Sequence, residues 1–593
     1  MHLPDVNIRP CCSPYAVHSG LRVRIRISGL PTADGPSGDN RPIQGAAVRD
    51  FPQPSLTGIK AEIPAAQSQL TPGSSRVALG ILFSRITGLI RERVMGHYFG
   101  NSAVMGIFRA AFRIPNLLSN LFGEGVLSAA FVTVYARLRA EQKNKESQEL
   151  AATVFTILAC VSSVIVLFGA LTTPFLIDAI APGFHGPDRA LTIRLVRILF
   201  PAAGILVMGA WCLGVLNSHR KFLLSYSAPI AMNGTMVAAL TLFGRYLPQD
   251  QSAVLLAWAC VLGSILQFFV QLPSVLRFLP AFRPLLDLGS QYVRTVVKNF
   301  GPVFASRGVV QISAYIDQII ASFLGPIAVS ALSYGQFVAL LPISLFSMSV
   351  SAAELPELSS ALGTQDEIAA QLRKRLTAGL RRIAFFIVPS AVAFLINGDV
   401  IVAALYQGGR FHYEDARYVW SVLAGSAVGL LATSLGRLYS SVFYALHDTQ
   451  TPLRFALVRV TLTTILGLLF AFSVPRWLGI APKWGVAGLT VSAGIAGWVE
   501  FSLLRRALAF RIGRAELPAS FTAKLWVTSL VAAMVGFALK SSLGAPSIRH
   551  PLVLATFTIP LYCVIYFGGT AFLGVNESKA YFTAGLRRLG FIS

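Results

Sequence analysis

Long stretches without a charged residue constrain this chain more than any other feature. Leu150–Ile177, Phe222–Gly244 and Ser252–Leu276 contain no Asp, Glu, Lys or Arg. Each exceeds the roughly 20 residues that a helix needs to cross about 30 Å of hydrocarbon. Over all 593 residues, 54% of side chains are hydrophobic and only 13% are charged. This composition excludes an ordinary soluble enzyme and predicts an all-α polytopic membrane protein.

The basic excess of the chain is explained by its loops. Fifty Lys and Arg residues stand against 26 Asp and Glu, a net charge of +24. The even-numbered loops between apolar segments are basic, from Arg137 and Arg139 in the second to Arg511 and Arg514 in the twelfth. The odd-numbered loops are nearly neutral. Because basic loops stay in the cytoplasm, we predict that both termini are cytoplasmic and that no nucleic acid is bound.

The sequence lacks the motifs of several chemical classes. The six cysteines are not in CxxC spacing, the eight histidines form no HExxH, and no GxxxxGK[ST] loop is present. These absences argue against a disulfide framework, a metal hydrolase and a built-in ATPase. Glu354 and Glu357 lie three residues apart at a helix end, where a cap or gate is expected rather than an acid/base pair. We therefore predict a transporter without a cofactor, and not an enzyme.

The chain divides into an extension and a membrane body. Residues 1–74 are rich in Pro, Gly, Ser and Asp and contain no apolar span, so we predict a disordered cytoplasmic extension or a start codon assigned too early. The body is divided into an N-lobe at 75–276 with helices 1–6, a C-lobe at 277–474 with helices 7–11, helix 12 at 475–504, and helices 13 and 14 with a cytoplasmic tail at 505–593. Fourteen spans are predicted, near 77–99, 103–134, 150–177, 190–217, 223–246, 252–276, 297–324, 328–358, 379–406, 417–445, 453–474, 484–504, 522–540 and 551–575.

A weak internal repeat supports two halves. Tyr98–Val104 resembles Phe323–Val329, and Ser128–Ala130 resembles Ser351–Ala353, at an offset of about 225 residues. Parallel repeats of this kind build transporters with a central cavity between the halves. We expect two six-helix lobes around such a cavity, with two helices left over at the C-terminus.

The first span contains charges that a bilayer disfavours. Arg85, Arg91, Glu92 and Arg93 lie in or beside one apolar helix. An arginine at the bilayer centre costs at least about 2.5–3.5 kcal/mol, so such residues usually face protein or water. Arg85 and Glu92 share a helix face, with Arg91 one position round from it. We predict that Arg85 faces a cavity, whereas Arg93 is expected to snorkel to the cytoplasmic headgroups.

Further charges lie in later spans. The second span carries Arg109 and Arg113, four residues apart and able to address one anion together, and is interrupted around Asn116 and Glu124. For Glu124, simple packing is an equal alternative. Deeper in the chain lie Arg307, Asp317, Glu354 and Arg437. Arg307 and Asp317 are too far apart along one helix to pair. Arginine forks suit phosphate or diphosphate, so these charges indicate a secondary transporter of an anion.

Four segments carry a family resemblance: FSRITGLIRE at Phe83–Glu92, FRIPNLLSNLFGEGVLSAAFV at Phe112–Val132, APGF at Ala181–Phe184, and YALHDTQTP at Tyr444–Pro452. They resemble the MurJ/MviN family of lipid II flippases, in the multidrug/oligosaccharidyl-lipid/polysaccharide exporter superfamily. The resemblance covers about residues 75–590. It implies fourteen helices, two lobes of six around a cationic cavity, and alternating access.

The resemblance assigns roles to some residues and withholds them from others. Arg85 and Arg91 match first-helix arginines thought to receive the diphosphate, Glu92 stands at a usual acid, and Asn116 and Glu124 match the broken second helix. Where the family has charges or cation ligands, this chain has Gly106, Ser119, Gln336, Phe337, Leu340, Thr463 and Gly467. Sodium coupling is thereby in doubt, and Asp317 is the one remaining candidate for a cation. Arg109 and Arg307 are hypothesised to restore the missing cavity charge.

The leading functional prediction is a lipid II flippase of the bacterial cytoplasmic (inner) membrane. The diphosphate contacts would come from Arg85, Arg91, Arg109, Arg113 and Arg307, with Asn116 beside them. Glu92, Glu124, Asp317 and Glu354 are candidate charge partners or gates. Transport would be coupled to the membrane potential, Na⁺ or H⁺. Expected partners are lipid II, membrane lipids and peptidoglycan synthesis proteins. The alternatives are a flippase for another polyprenyl-diphosphate glycan and a transport-inactive scaffold of envelope assembly.

Overall fold

The described part of the chain is helical throughout. The computed structural model describes residues 72–122, 127–280, 282–359, 364–446, 448–542 and 551–579, and the predicted N-terminal extension lies almost wholly outside these ranges. Within them no β-strand forms, apart from an isolated bridge between Gly408 and Phe411. The helices fall into an N-lobe, a C-lobe and a C-terminal hairpin.

The N-lobe is organised around one long helix. It comprises α1 Pro72–Phe99, α2 Ala103–Phe122, α3 Thr133–Ala140, α4 Asn144–Leu171, α5 Thr173–Ile180, α6 Gly186–Ser218, α7 Phe222–Ser227, α8 Pro229–Phe243 and α9 Gln249–Phe278. Helix α6 packs against α2, α4 and α9. Its Trp211 is fully buried and donates a hydrogen bond to the carbonyl of Ala151, 3.1 Å away.

The C-lobe repeats this plan. It comprises α10 Gln291–Phe323, α11 Pro326–Pro342, α12 Met348–Ser359, α13 Gln365–Ile396, α14 Gly398–Tyr406, α15 Tyr413–Ala445, α16 Gln450–Leu468, α17 Val474–Trp477 and α18 Gly485–Ile512. Helix α15 packs most extensively on α18. A Cβ atom built on Gly429 would lie 2.4 Å from the Cα of Gly494, so these helices meet backbone to backbone, as small residues allow in membranes.

Two features recur in both lobes and support the repeat. The turn from the first to the second helix contains a glycine with positive φ, at Gly100 (63°) and Gly325 (99°). A π-helical turn comes after the second helix in each lobe, at Ser128–Val132 in the N-lobe and at Ile343–Ser347 in the C-lobe. A third π-turn, Leu469–Ser473, follows α16. Residues 123–126, the predicted break in the second span, lie outside the described residues.

The C-terminal hairpin, α19 Ala519–Ser542 and α20 Pro551–Phe572, rests on the C-lobe. Helix α19 packs on α13, and α20 packs on α14. An ion pair holds it near each end: Lys540 contacts Asp399, and Arg381 Nε lies 2.6 Å from Glu577 Oε1. The hairpin is therefore fixed to one lobe by both packing and charge.

Eleven helices of the described part are long and apolar enough to span a membrane. The first, second and seventh predicted spans correspond to α1, α2 and α10, which are not among the eleven. Each of these three carries two or more charged residues. The chain is a multi-pass membrane protein with the predicted helical architecture, and the count of fourteen spans stays a prediction.

At one end of the molecule, glycines bring the two lobes together. A Cβ atom on Gly106 would lie 1.8 Å from the carbonyl oxygen of Pro326, and one on Gly183 would lie 2.1 Å from that of Ser322. Gly100 and Gly409 are equally close to carbonyls of the opposite lobe. We call these four glycines the glycine seam. Since only hydrogen fits at such distances, the seam depends on residues without a side chain.

Candidate functional site

Three of the predicted charges form a buried cluster between α1 and α2. Glu92 is fully buried, and the side chains of Arg91 and Arg109 are 16% and 14% exposed. Arg91 Nη2 lies 2.7 Å from Glu92 Oε1, Arg109 Nη1 lies 3.1 Å from the same oxygen, and Arg109 Nη2 contacts Oε2. One carboxylate is thus shared by two guanidinium groups, and the cluster keeps one net positive charge. We call it the paired cluster.

Polar and aromatic neighbours complete the paired cluster. Arg91 Nη1 donates to Asn233 Oδ1 at 3.0 Å, and the amide of Asn233 donates to Thr87 Oγ1. On the other side, Arg109 lies 5.2 Å from the ring centre of Tyr334, which belongs to the C-lobe. Tyr334 in turn packs on Tyr406. The cluster therefore connects α1, α2 and α8 with the aromatic side chains of the opposite lobe.

A second polar region lies in the N-lobe, one to two turns before the paired cluster along α1. Side chains of α1, α2, α6, α7, α8 and α9 enclose a cavity of about 360 Å³. Six of its polar side chains are Arg85, Asn116, Ser119, Asn120, Gln267 and Gln271. Among the described residues, no carboxylate and no residue of the C-lobe lines it. We call it the N-lobe cavity.

The walls of the N-lobe cavity contain hydrogen-bonding atoms without partners. Gln271 is 1% exposed, and its Nε2 donates to the main-chain carbonyl of Gln267, which leaves Oε1 without a partner among the described residues. Gln267 Oε1 and Ser225 Oγ are in the same condition. Arg85 makes no ion pair with any described carboxylate. Buried polar groups normally have partners, so these unpaired atoms make the cavity a candidate binding site. Atoms of this kind also occur elsewhere in the described residues, including Arg91 Nε and Arg109 Nε of the paired cluster.

Arg113 has different neighbours from Arg109. Its guanidinium lies 4.8 Å from the ring centre of Tyr315, whose hydroxyl donates to the Arg113 carbonyl at 2.8 Å. The nearby acid is Asp317, which also interacts with Arg459. In this conformation Arg109 pairs with Glu92 whereas Arg113 stacks on Tyr315, so the expectation that Arg109 and Arg113 address one anion together stays a prediction.

The structure also corrects the expectation for Arg93. Its Nη1 donates to the carbonyls of Ala404 and Leu405, at 2.7 and 3.0 Å. It caps the C-terminal end of α14 across the lobe contact, where unpaired carbonyls attract a cation. Arg93 consequently does not snorkel to lipid headgroups.

The remaining candidates lie apart from these groups or outside the described residues. Glu354 pairs with Arg382 at 3.3 Å and with Arg375 at 3.9 Å, linking α12 to α13. Residue 124 and the side chain of residue 307 are outside the described part, so Glu124 and Arg307 stay predictions. The structure thus brings together Arg85 with Asn116, Arg91 with Glu92 and Arg109, and Arg113 with Asp317.

Several functional candidates escaped the sequence analysis. Asn233 in the paired cluster and Gln267 and Gln271 in the N-lobe cavity lie in segments predicted to be simply apolar. A signal existed, because intramembrane polar residues are expensive and usually functional. Gln267 and Gln271 are also four apart and share a helix face. The pairing of Tyr334 with Arg109 had no signal, since it joins helices of different lobes.

Comparisons with known proteins give a consistent result. The family model described as "Lipid II flippase MurJ" matches residues 95–556. The "Lipid II flippase MurJ" of Burkholderia cenocepacia is 32% identical over 429 residues, covering 71% of this chain and 80% of the relative. The "Probable lipid II flippase MurJ" of Rickettsia prowazekii is 29% identical, with the same coverage.

Solved structures share the fold at low sequence identity. A lipid II flippase MurJ in an inward closed conformation matches with a TM-score of 0.70 and 22% identity, covering 84% of this chain and 98% of that one. An inward-facing multidrug resistance transporter of the MATE family and MOP superfamily matches with a TM-score of 0.56 and 15% identity, covering 74% and 99%. At these identities, the match supports the architecture alone.

Proposed function

The chain belongs to the MurJ family of lipid II flippases, and we propose on that premise that it carries lipid II across the cytoplasmic membrane. Lipid II is a polyprenyl diphosphate that bears a sugar and peptide headgroup. A flippase must shelter this charged headgroup from the hydrocarbon while the lipid tail stays in the bilayer. The protein therefore needs an internal polar surface with an uncompensated positive charge.

Arg85 in the N-lobe cavity is the observation that carries the proposal. Its guanidinium group lines a cavity in which the described residues provide no carboxylate that would compete with a ligand phosphate. Arginine keeps its charge and binds phosphate through two parallel hydrogen bonds. Arg85 is consequently our first choice for the diphosphate contact.

Arg91 and Arg109 take a different part in this proposal. Both share Glu92, so together they offer a single net positive charge. Arg91 faces Asn233 and is the second diphosphate contact, whereas Arg109 holds the carboxylate and the Tyr334 ring. Arg113 and Arg307 are secondary contacts, reached after the headgroup has entered between the lobes.

We propose that the glycine seam marks the outer end of the protein. Loop charge predicts cytoplasmic termini, which makes the turns at residues 100 and 325 periplasmic. With the lobes joined at that end, the headgroup enters from the cytoplasmic side. Alternating access then requires the seam to part while the opposite end closes. The membrane potential, worth about 2.3 kcal/mol per charge per 100 mV, favours outward movement of an anion.

The experiment is lipid II exposure on the outer leaflet of bacteria depleted of their own flippase and expressing the full chain. Restored exposure that Arg85→Ala reduces at least tenfold is the expected result. Clamping the membrane potential to zero should slow transport, whereas replacing Na⁺ should not.

A matched control is Arg245→Ala, which removes an exposed arginine that stacks on Tyr246 outside the cavity. This variant should transport like the unchanged chain. Failure of the unchanged chain to restore exposure, although it is folded and inserted, would contradict the proposed function.

A further inference from the structure

We propose that the N-lobe cavity is the subsite for the N-acetylated sugar that is bonded directly to the diphosphate of the substrate. This inference rests on the proposed function and adds to it the part of the headgroup that the protein recognises. It assigns Gln267 and Gln271 of α9 as specificity-determining residues. Arg85, at the same cavity, holds the adjoining phosphate.

The unpaired atoms of the cavity define what a ligand must offer. Gln271 Oε1, Gln267 Oε1 and Ser225 Oγ are buried and have no partner among the described residues. The two amide oxygens accept hydrogen bonds and cannot donate them. They have almost no accessible surface, so they reach a ligand when their side chains turn toward the cavity, and their complement is then a ligand with several O–H or N–H groups. A sugar with hydroxyl groups and an acetamide N–H meets this requirement, whereas a bare diphosphate offers acceptors only.

The positive charge of Arg85 excludes the main competing ligand. Clustered amide and hydroxyl oxygens also suit a metal cation. A cation would, however, meet the Arg85 guanidinium in the same cavity, and no carboxylate of the described lining residues would balance it. A ligand with hydroxyl and amide donors next to an anionic group satisfies both the unpartnered oxygens and the Arg85 guanidinium. A sugar phosphate has this composition.

The cavity has room for one sugar. Its volume of about 360 Å³ lies near the lower end of small-molecule pockets. Because the cavity is partly open, the rest of the sugar and peptide headgroup can extend beyond it. Phe112 and Tyr226 line the same cavity and provide aromatic faces for a sugar ring. Because the first sugar is joined directly to the diphosphate, a phosphate on Arg85 brings that sugar to the cavity.

The test measures binding by the full chain in lipid nanodiscs to lipid II and to undecaprenyl diphosphate, which lacks the sugar and peptide. The variant is Gln267→Leu/Gln271→Leu, which keeps side-chain volume and removes the amides. The unchanged chain should bind lipid II at least tenfold more tightly than undecaprenyl diphosphate. The double variant should bring this ratio close to one while affinity for undecaprenyl diphosphate stays the same.

Ser264→Ala is the control on the same helix. Ser264 is buried, and its hydroxyl donates to the carbonyl of Cys260 in α9, outside the cavity lining. This variant should keep the ratio of the unchanged chain. A double variant that also keeps the ratio overturns the sugar subsite, as does an unchanged chain that binds the two lipids equally.

The outcome of this test can be separated from that of the proposed function. A chain that binds lipid II selectively but does not move it in vesicles contradicts the flippase and leaves the subsite supported. If the chain binds neither lipid, UDP-N-acetylmuramyl pentapeptide serves as the probe, since it carries a sugar on a diphosphate without a lipid tail. Binding that the double variant abolishes then supports the subsite, and absence of binding overturns it.

Discussion

The paired cluster and the N-lobe cavity are two polar regions of the same lobe, and they share helix α1. In the paired cluster, Glu92 is fully buried and shared by two arginines. In the cavity, Arg85 meets no acid and three buried oxygens lack partners among the residues that the structure describes. Removing one member of a buried ion pair is costly, and unpartnered polar atoms beside a cavity are available to a ligand. Arg91 Nε and Arg109 Nε of the paired cluster also lack partners among the described residues. We expect the difference to separate Glu92 and Arg109, which build the lobe, from Arg85, which serves transport.

The largest effect is expected for Glu92→Gln. Removal of the carboxylate leaves two buried guanidinium groups without their counter-charge, which costs about 3 kcal/mol of unfolding free energy or more. Titration with SDS in mixed micelles measures this loss. Glu414→Gln is the control, because Glu414 is 83% exposed and lies 3.7 Å from Arg417, so its loss should change stability by less than about 0.5 kcal/mol. Equal stability of the two variants would remove the basis of the comparison.

A double variant tests whether Glu92 and Arg109 act as a pair. Glu92→Gln/Arg109→Met restores the net charge of the cluster, because one acid and one base are removed together. We expect it to be about 2 kcal/mol more stable than the sum of the single variants predicts. The same SDS titration measures the coupling. Additive single effects would show that Arg109 is not the main partner of Glu92.

Arg85→Ala should have the opposite signature. Arg85 is exposed to the cavity and makes no described ion pair, so its removal should change the unfolding free energy by less than about 0.5 kcal/mol. Flipping of lipid II in proteoliposomes should fall at least tenfold. Both measurements are made on the same preparation. A loss of stability as large as that of Glu92→Gln would reassign Arg85 to the framework of the lobe.

Arg113→Ala should lower the stability of the protein less than Glu92→Gln does. The variant loses a stacking contact with Tyr315 and the attraction of Asp317, which together stabilise the protein by about 1 kcal/mol. The shift in thermal midpoint measures it. Arg245→Ala loses a similar stacking contact in an exposed position and should shift the midpoint less. A larger loss from Arg245 would mean that burial does not set the strength of these contacts.

The sequence predicted the elements well and their pairing poorly. Uncharged runs determine where helices form, because the bilayer leaves the backbone no other partner than itself. The arginines of α1 and α2 were found because charge is rare in such helices. Which arginine meets which acid depends on helix packing, so the sharing of Glu92 could not be read from spacing. The carbonyl partners of Arg93 lie more than 300 positions away along the chain.

At residue 106 this chain has lost a charge and gained a close contact between the two lobes. The family resemblance implies an acid there, and this chain has a glycine pressed against the backbone of Pro326. The side chain of an acid at position 106 would collide with the Pro326 carbonyl and keep the two lobes apart at the glycine seam. Glycine at this position has two effects: it removes a charge from the region between the lobes, and it lets the lobes close at that end. One residue therefore affects both the charge of the cavity and the equilibrium between the two conformations. A methyl group at this position would prevent the two lobes from closing at the glycine seam. Its volume alone would raise the fraction of molecules in which the lobes are apart at that end.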